Sequence, residues 1–222
     1  MLEKSGSPGL SISLVKDISV RNTHRIISSL IVTAASLAAV SGAYAQSSTS
    51  GSGSGFSVGA PGNSYVGLGV GKSDFSLGNG IGVFSSDQGD TSYNLQAGSY
   101  FSNNFGLEVG YTDFGGINRA GGRTKADGVN LSLIGRMPLS ESFNLLGKVG
   151  TTYGRTQVSS APGSGITAGD ETGFGLSYGV GAEYLISPKW SAALQYESHD
   201  LKFAGDNKER VGVTTLSARY RF

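Results

Sequence analysis

Residues 174–199, FGLSYGVGAEYLISPKWSAALQYESH, decide the fold of this chain. Apolar residues occupy every second position from Leu176 to Tyr184 and again from Trp190 to Tyr196. A period of two is typical of β-strands with one apolar face. Only Ser187-Pro188-Lys189 separates the two runs, and so short a connection makes them antiparallel neighbours. The stretch therefore predicts a β-hairpin.

The same alternation recurs along the chain and predicts eight strands, each about as long as a tilted strand that crosses a membrane. Their predicted ranges are 64–75, 91–101, 105–114, 128–138, 143–155, 174–186, 190–199 and 211–222. Tight turns at 102–104, 139–142 and 187–189 alternate with longer polar connections at 76–90, 115–127, 156–173 and 200–210. We therefore predict an all-β fold, an eight-stranded antiparallel up-and-down transmembrane β-barrel.

The side of the barrel that meets lipid has to be argued, because a soluble ligand-binding barrel also alternates, with its apolar face inward. A polar face in contact with water would carry many Lys and Glu residues. Here that face is mostly Gly, Ser, Asn, Gln and Thr, and charged residues make up only 15% of the chain. Aromatic residues such as Phe105, Tyr153 and Trp190 stand near the strand ends of the apolar face, as in membrane barrels. The pattern favours an apolar exterior in lipid.

The N-terminal segment has the order of a secretory signal. Basic residues precede an apolar run at 26–40, and Ala43-Tyr44-Ala45 gives an A-x-A cleavage site before Gln46. We predict a signal peptide over 1–45, with Ala43, Ala45 and Gln46 at the cleavage site. A flexible Ser/Gly-rich lead-in is expected over 46–62 and the outer-membrane β-barrel over 63–222.

Several runs in this order resemble the transmembrane domain of the OmpA family: NSYVGLGVGKSDF, NNFGLEVGYTDF, GVGAEYLISPKW and the terminal SARYRF. The resemblance covers residues 63–222 and implies a small outer-membrane barrel. The peptidoglycan-binding domain usual in that family is not expected here. Ala218, Tyr220 and Phe222 also resemble the C-terminal signal that the barrel-assembly machinery recognises in its clients.

Strand parity directs seven charged side chains into the predicted lumen: Glu108, Arg136, Lys148, Glu183, Glu197, Arg219 and Arg221. In so narrow a bore they should pair, because an isolated buried charge costs several kcal/mol. One interpretation is a structural salt-bridge core. The other is a narrow pore gated by the same pairs, as the family resemblance implies, and Glu108, Lys148, Glu183 and Arg219 are the residues that would distinguish the two.

Other chemistry finds little support. Ser198-His199-Asp200 brings three hydrolase residue types together, but neighbouring residues of a strand face opposite ways and cannot form one triad. With no cysteine and one histidine beyond residue 45, a His/Cys metal site is excluded. Of the 17 basic and 16 acidic residues, four and two lie in residues 1–45, so the remainder is nearly neutral. This balance argues against nucleic-acid binding.

We therefore expect a non-enzymatic outer-membrane barrel without cofactors. Lipid should contact its exterior, and charged side chains should close its lumen. Envelope integrity and surface contacts are its expected role, with a narrow diffusion pore or a surface adhesin acting through the long loops as alternatives. A lipid A-modifying enzyme would require a Ser and a carboxylate around His199 on the membrane face. Expected partners are outer-membrane lipid, lipopolysaccharide and the assembly machinery, and a monomer with both mature termini in the periplasm is expected.

Overall fold

The computed structural model describes residues 62–78 and 87–222, apart from the side chains of residues 206 and 207. The predicted signal peptide, its cleavage site and all but the last residue of the lead-in lie outside the described residues. Within the described part of the chain, no helix is long and apolar enough to cross a membrane.

Eight antiparallel strands form one closed barrel, in which each strand pairs with its sequence neighbours and β8 pairs with β1. The strands are β1 Ser64–Phe75, β2 Gly89–Tyr100, β3 Phe105–Arg119, β4 Gly122–Pro138, β5 Phe143–Val158, β6 Gly169–Leu185, β7 Trp190–Phe203 and β8 Asp206–Arg221. Where the ladders run side by side, closure leaves no edge strand and the backbone groups are paired within the barrel. Toward residue 169, the β6–β7 ladder ends at Ser177–His199. The predicted fold class is confirmed.

The two ends of the barrel differ. At one end, here called the terminal end, lie Gly62, Phe222 and the three tight turns around 101–104, 139–142 and 186–189. The Gly62 amide donates to the Phe222 carbonyl at 2.9 Å, so the first and last described residues meet there. At the other end, here called the distal end, β1–β2, β3–β4, β5–β6 and β7–β8 are connected.

A broad apolar surface surrounds the outside of the barrel beside the terminal end. Large apolar side chains that would be buried in a soluble domain are exposed here, and they alternate with inward polar ones along every strand. They include Leu68, Val70, Phe105, Leu131, Leu145, Val149, Leu176, Val180, Trp190, Leu194 and Leu216. This exterior suits lipid, as the sequence predicts.

Two of the predicted long loops are wrong. The segment predicted as loop 115–127 forms strand up to the turn Ala120-Gly121, and 200–210 does so up to Ala204-Gly205. Ala120 and Gly121 both have positive φ, 52° and 69°, as a tight two-residue hairpin turn requires. Likewise only residues 159–168 connect β5 and β6, so the predicted loop 156–173 is too long.

The physical reason is that the polarity of the wall inverts near the distal end. Along β8 the inward residues run from Val211 and Val213 at the distal end to Ser217 and Arg219 toward the terminal end. The outward residues run the other way, from exposed Arg210 to exposed Leu216. Charged residues on the outside resemble a loop in sequence, although the backbone ladder continues through them.

Candidate functional site: the closed lumen

Six of the seven predicted lumenal charges form one connected group inside the barrel, toward its terminal end. Each strand supplies its member by alternation, since every second residue faces inward. The group comprises Glu108 from β3, Lys148 from β5, Glu183 from β6, Glu197 from β7, and Arg219 and Arg221 from β8. We call it the lumenal charge network.

Glu108 is the anionic centre of one half of the network. Its Oε1 lies 2.6 Å from Lys148 Nζ, and its Oε2 lies 3.4 Å from Arg219 Nη2. The hydroxyl of Tyr65 donates a further hydrogen bond to Glu108. Lys148 Nζ also lies 2.8 Å from Glu197 Oε1, so one ammonium is shared by two carboxylates. These charge-assisted contacts link β1, β3, β5 and β7 across the bore.

Arg219 connects the two halves. Its Nη2 donates to the side-chain oxygens of Gln96 at 2.9 Å and Gln195 at 2.8 Å. Its Nη1 lies 3.8 Å from Glu183 Oε1, and its guanidinium stacks over the Tyr65 ring at 4.7 Å. The side chain is fully buried. A planar cation with five donors suits such a hub, because it reaches several acceptors from one position.

Glu183 is the anionic centre of the second half. Its Oε2 accepts hydrogen bonds from Arg221 Nη2 at 2.8 Å and Asn144 Nδ2 at 2.9 Å, and its Oε1 accepts one from Ser191 Oγ at 2.7 Å. Glu183 is also buried, so these donors replace the water that the carboxylate loses.

The network contains three carboxylates and three cations, so its formal charges balance. Arg136, the seventh predicted member, lies apart from it at the terminal mouth. Its guanidinium donates to the Asn103 carbonyl, at 3.0 Å from Nη2, and stacks over the Tyr100 ring at 4.3 Å. The expectation that all seven charges pair is therefore not met at Arg136, whose partners in the described residues are a carbonyl and an aromatic face.

His199 lies above the network and faces the lumen. Its Nδ1 is 2.8 Å from Thr152 Oγ1, its Nε2 is 3.8 Å from Glu197 Oε2, and its ring packs edge-on against Phe114. By strand parity Ser198 and Asp200 point to the side of β7 opposite His199, and the Ser198 side chain is buried there. The structure does not bring the three residue types of Ser198-His199-Asp200 together.

Above His199 the bore is filled by apolar side chains, which we call the apolar cap. Its buried members are Phe75, Phe114, Ile117, Ala126, Val158, Leu201, Phe203, Ala204, Val211 and Val213, and Leu77 and Ile166 pack against it. Half of the buried members come from the β7–β8 hairpin. Alternation alone does not reveal the cap, because it requires knowing that these segments are strands.

The β7–β8 hairpin leans across the bore to form the cap. The ladder between β6 and β7 is paired from Leu185–Ser191 to Ser177–His199. Beyond it, β7 also reaches β5, where the Thr156 hydroxyl donates to the Lys202 carbonyl at 2.5 Å. Gly154 of β5 makes this approach possible, because a Cβ at that position would lie 2.5 Å from Leu201 Cδ2. The lumen is thus closed twice, by charges and by an apolar cap.

The three residues of the predicted assembly signal lie on the outward face of β8 at the terminal end. Tyr220 packs edge-on against Trp190 at 5.1 Å between ring centroids, and Ala218 and Phe222 are exposed. The Phe222 amide donates to the Ser64 carbonyl at 3.0 Å, so the last residue also closes the β1–β8 seam.

The fold and the lumen together define an integral β-barrel of a membrane, with lipid-facing apolar residues outside and balanced charges inside. The chain matches the family model described as outer membrane protein beta-barrel domain over residues 30–222. It belongs to that family and is an outer-membrane β-barrel.

Solved structures share the fold. The attachment invasion locus protein Ail of Yersinia pestis is 24% identical, with 73% of this chain and 100% of that chain covered and a TM-score of 0.51. Neisserial surface protein A is 16% identical, with coverages of 72% and 97% and a TM-score of 0.56. The N-terminal barrel of Pseudomonas aeruginosa OprF is 12% identical, with coverages of 72% and 98% and a TM-score of 0.50. No curated protein sequence matches the chain significantly.

Proposed function

We propose that the protein is a non-enzymatic, non-conducting structural barrel of the outer membrane, which supports envelope integrity and presents its distal end for surface contacts. The double closure of the lumen carries this proposal. Water and small solutes that enter from the terminal end meet the lumenal charge network first and then the apolar cap. From the distal end they meet the apolar cap first. An eight-stranded barrel is narrow enough for side chains to fill it.

The orientation follows from the difference between the ends. We place the terminal end, with both mature termini and the three tight turns, in the periplasm, because short turns face the periplasm in such barrels. The assembly machinery would then read Ala218, Tyr220 and Phe222 at that end during insertion. The balanced lumen needs no second subunit to complete it, which supports a monomer.

A catalytic role on the membrane face is not supported by the position of His199. A hydrolase of lipid would need a base on the outward surface, near a nucleophile exposed to the acyl chains. His199 instead faces Thr152 and Phe114 inside the bore.

A narrow pore is the second candidate, and the shared contacts of the network favour it. Lys148 bridges Glu108 and Glu197, and Arg219 bridges Glu108 and Glu183, so either cation has an alternative partner if one pair breaks. Such a network could rearrange without leaving a buried charge unpaired. A surface adhesin is the third candidate, for which the distal hairpins and residues 159–168 would be the contact surface.

Single-channel recording separates the structural barrel from the pore. The variant Glu108→Gln/Lys148→Gln removes the ion pair between these two residues, together with the contacts Glu108–Arg219 and Lys148–Glu197, and keeps the formal lumenal charge balanced. We expect no steady current from it, because the apolar cap still closes the bore. Adding Leu201→Ala and Phe203→Ala, which truncate the cap, should produce small discrete currents. Steady current from Glu108→Gln/Lys148→Gln alone would overturn the structural proposal and establish the gated pore.

A further inference from the structure

We propose that the outer face of the β7–β8 hairpin binds the phosphate groups of an outer-leaflet glycolipid of the lipopolysaccharide type, with Lys202, Lys208 and Arg210 as the binding cations. The proposal rests on the proposed orientation, in which the distal end lies outside the cell. The three cations would then contact lipid headgroups on the outer face of this hairpin.

Two lysines of like charge lie side by side on the outer face of the hairpin, where they do not stabilise the fold. Lys202 of β7 and Lys208 of β8 are directly opposite in the ladder, on the outward face, and both are exposed. Like charges directly opposite in a sheet are destabilising. Among the described side chains, no carboxylate oxygen lies within 4.0 Å of either ammonium. By contrast, Arg123 lies 3.8 Å from Asp90 and Arg155 lies 3.8 Å from Asp170, so these two distal cations each have a carboxylate nearby.

The second observation is the orientation of Arg210, two residues along β8 from Lys208. Its Nε lies 3.8 Å from Asp200 Oδ1, and its guanidinium carbon lies 6.0 Å from the centre of the Tyr178 ring. The side chain remains 60% exposed. A carboxylate and an aromatic ring thus lie near the guanidinium, on the same face as the two lysines. An exposed guanidinium is suited to bidentate contact with phosphate.

The third observation is continuity with the lipid-facing surface. The exposed aromatic residues Phe174, Tyr178 and Tyr196 lie on the outward faces of β6 and β7, where membrane interfaces favour such rings. The stem of Lys202 lies beside Gly173, where a Cβ would be 2.8 Å from Lys202 Cδ. The cations therefore begin where the aromatic border ends, which is the level of lipid headgroups. A membrane glycolipid places both acyl chains and phosphates along this surface, whereas a soluble polyanion would use the cations alone.

Native mass spectrometry of the folded protein in an uncharged detergent tests the proposal, with bisphosphorylated lipid A and dephosphorylated lipid A as probes. The wild-type protein should bind the bisphosphorylated form at least tenfold more tightly than the dephosphorylated form. Lys202→Gln/Lys208→Gln should lose most of that preference. The matched control Arg123→Gln/Lys125→Gln removes two exposed charges from the opposite side of the same end and should change the affinity less than twofold.

Equal losses in the two double variants would overturn the proposal, since they would show only a response to net charge. Equal binding of the two lipid forms by the wild-type protein would also overturn it, and that comparison needs no variant. Binding of inositol hexakisphosphate as tight as that of lipid A would reject the glycolipid in favour of a soluble polyanion. Folding is followed separately by the shift in electrophoretic mobility on boiling, and conductance by current recording, so failure of the structural-barrel proposal would be seen independently.

Discussion

Arg219 is the residue on which the lumenal charge network depends most. It is fully buried and contacts Glu108, Glu183, Gln96 and Gln195. Arg219→Met should lower the free energy of unfolding in lipid vesicles by about 3–5 kcal/mol, because it leaves two buried carboxylates short of a cation. Trp190, the one tryptophan of the chain, is half exposed on the lipid-facing surface and reports unfolding by its fluorescence.

Arg136→Met is the matched control for that measurement. Arg136 has a carbonyl and an aromatic ring as partners and leaves no carboxylate behind. Its loss should cost about 1 kcal/mol or less, as for an exposed hydrogen bond. Equal effects of the two substitutions would show that the network does not stabilise the barrel.

Asp90 stabilises a bulge in β3 near the distal end, beyond the apolar surface. The pairing of β3 with β4 shifts between Asp113 and Gly115, and Gly115 has a φ of +76° there. The Gly116 amide donates to Asp90 Oδ2 at 2.9 Å, and the Thr91 amide donates to Oδ1 at 2.7 Å. These two hydrogen bonds, the one from Gly116 foremost, lower the pKa of the Asp90 carboxyl below its ordinary value.

The lowered pKa sets the sign of a pH effect. The stabilisation is present above the unfolded pKa of Asp, about 3.9, and is lost as the pH falls through the folded value. At pH 7 the Gly116 amide should exchange about two- to fivefold faster in Asp90→Asn than in the wild type, since the carboxylate is partly exposed to solvent. The difference should disappear under strongly acidic conditions. A difference that persists unchanged there would assign the effect to packing rather than to charge.

At the scale of one residue, the sequence predicts toward which face of the barrel wall a side chain points, but not which other side chains it contacts. Alternation directs Glu108 and Arg219 to the inward face, because a strand turns every second side chain to one side, and both side chains are buried in the structure. That Arg219 also binds Gln96 and Gln195 depends on the stagger between β8, β2 and β7, which no single strand contains. Within the described residues, Arg136 has no carboxylate partner because it lies at the terminal mouth of the barrel. Strand parity predicts which face a side chain occupies but not its position along the barrel axis.

At the scale of the strand, the sequence predicts the lipid-facing halves well and the distal halves poorly. The β6–β7 turn at Ser187-Pro188-Lys189 lies where predicted, because apolar and polar residues alternate cleanly around it. The distal part of β7 is missed, because Lys202 faces outward and Leu201 inward, which reverses the pattern used to find the strand. Alternation continues through this segment with the opposite sign, apolar residues inward and polar residues outward, as far as Phe203.

Phe203→Ala tests whether this distal segment is packed strand rather than loop. Phe203 is buried in the apolar cap and packs against Phe75. Its truncation should destabilise the β7–β8 hairpin by about 3–5 kcal/mol, as for other buried aromatic side chains. Wild-type protein in vesicles should resist trypsin at Lys202 and Lys208, and Phe203→Ala should be cut there, as read by mass spectrometry.

Leu216→Ala is the control, since Leu216 lies on the same hairpin but faces lipid and is 57% exposed. It should leave the tryptic pattern unchanged. Rapid cleavage of the wild type at Lys202 would contradict the packed hairpin and support the loop that the sequence predicts.

At the scale of the whole molecule, the closed barrel could be predicted from the count of strands and the three tight turns. The apolar cap could not, because it forms only when one hairpin crosses toward β5. The proposed assembly role of Phe222 also belongs to this scale. Phe222→Ala keeps the backbone contact to Ser64 but removes the aromatic ring.

If the ring is read during assembly, Phe222→Ala should reduce folded protein in the outer membrane several-fold while refolding into vesicles in vitro stays efficient. Boiling-dependent mobility of membrane fractions, compared with that of the refolded protein, checks both. A parallel loss in vitro would show that Phe222 acts through stability alone.

The inversion of polarity along each strand also sets how deep the barrel sits. In most membrane strands a shift by two residues keeps every side chain on its own side, so the bilayer alone limits vertical sliding. Here a shift of β8 by two residues toward the terminal end would move the inward side chains of Val211 and Val213 closer to the lumenal charge network. It would also move the exposed Arg210 side chain toward the lipid acyl chains. Both changes are unfavourable, so they oppose displacement toward the terminal end. The outward polarity of β8 therefore limits how deeply the distal end of this barrel can enter the acyl chains.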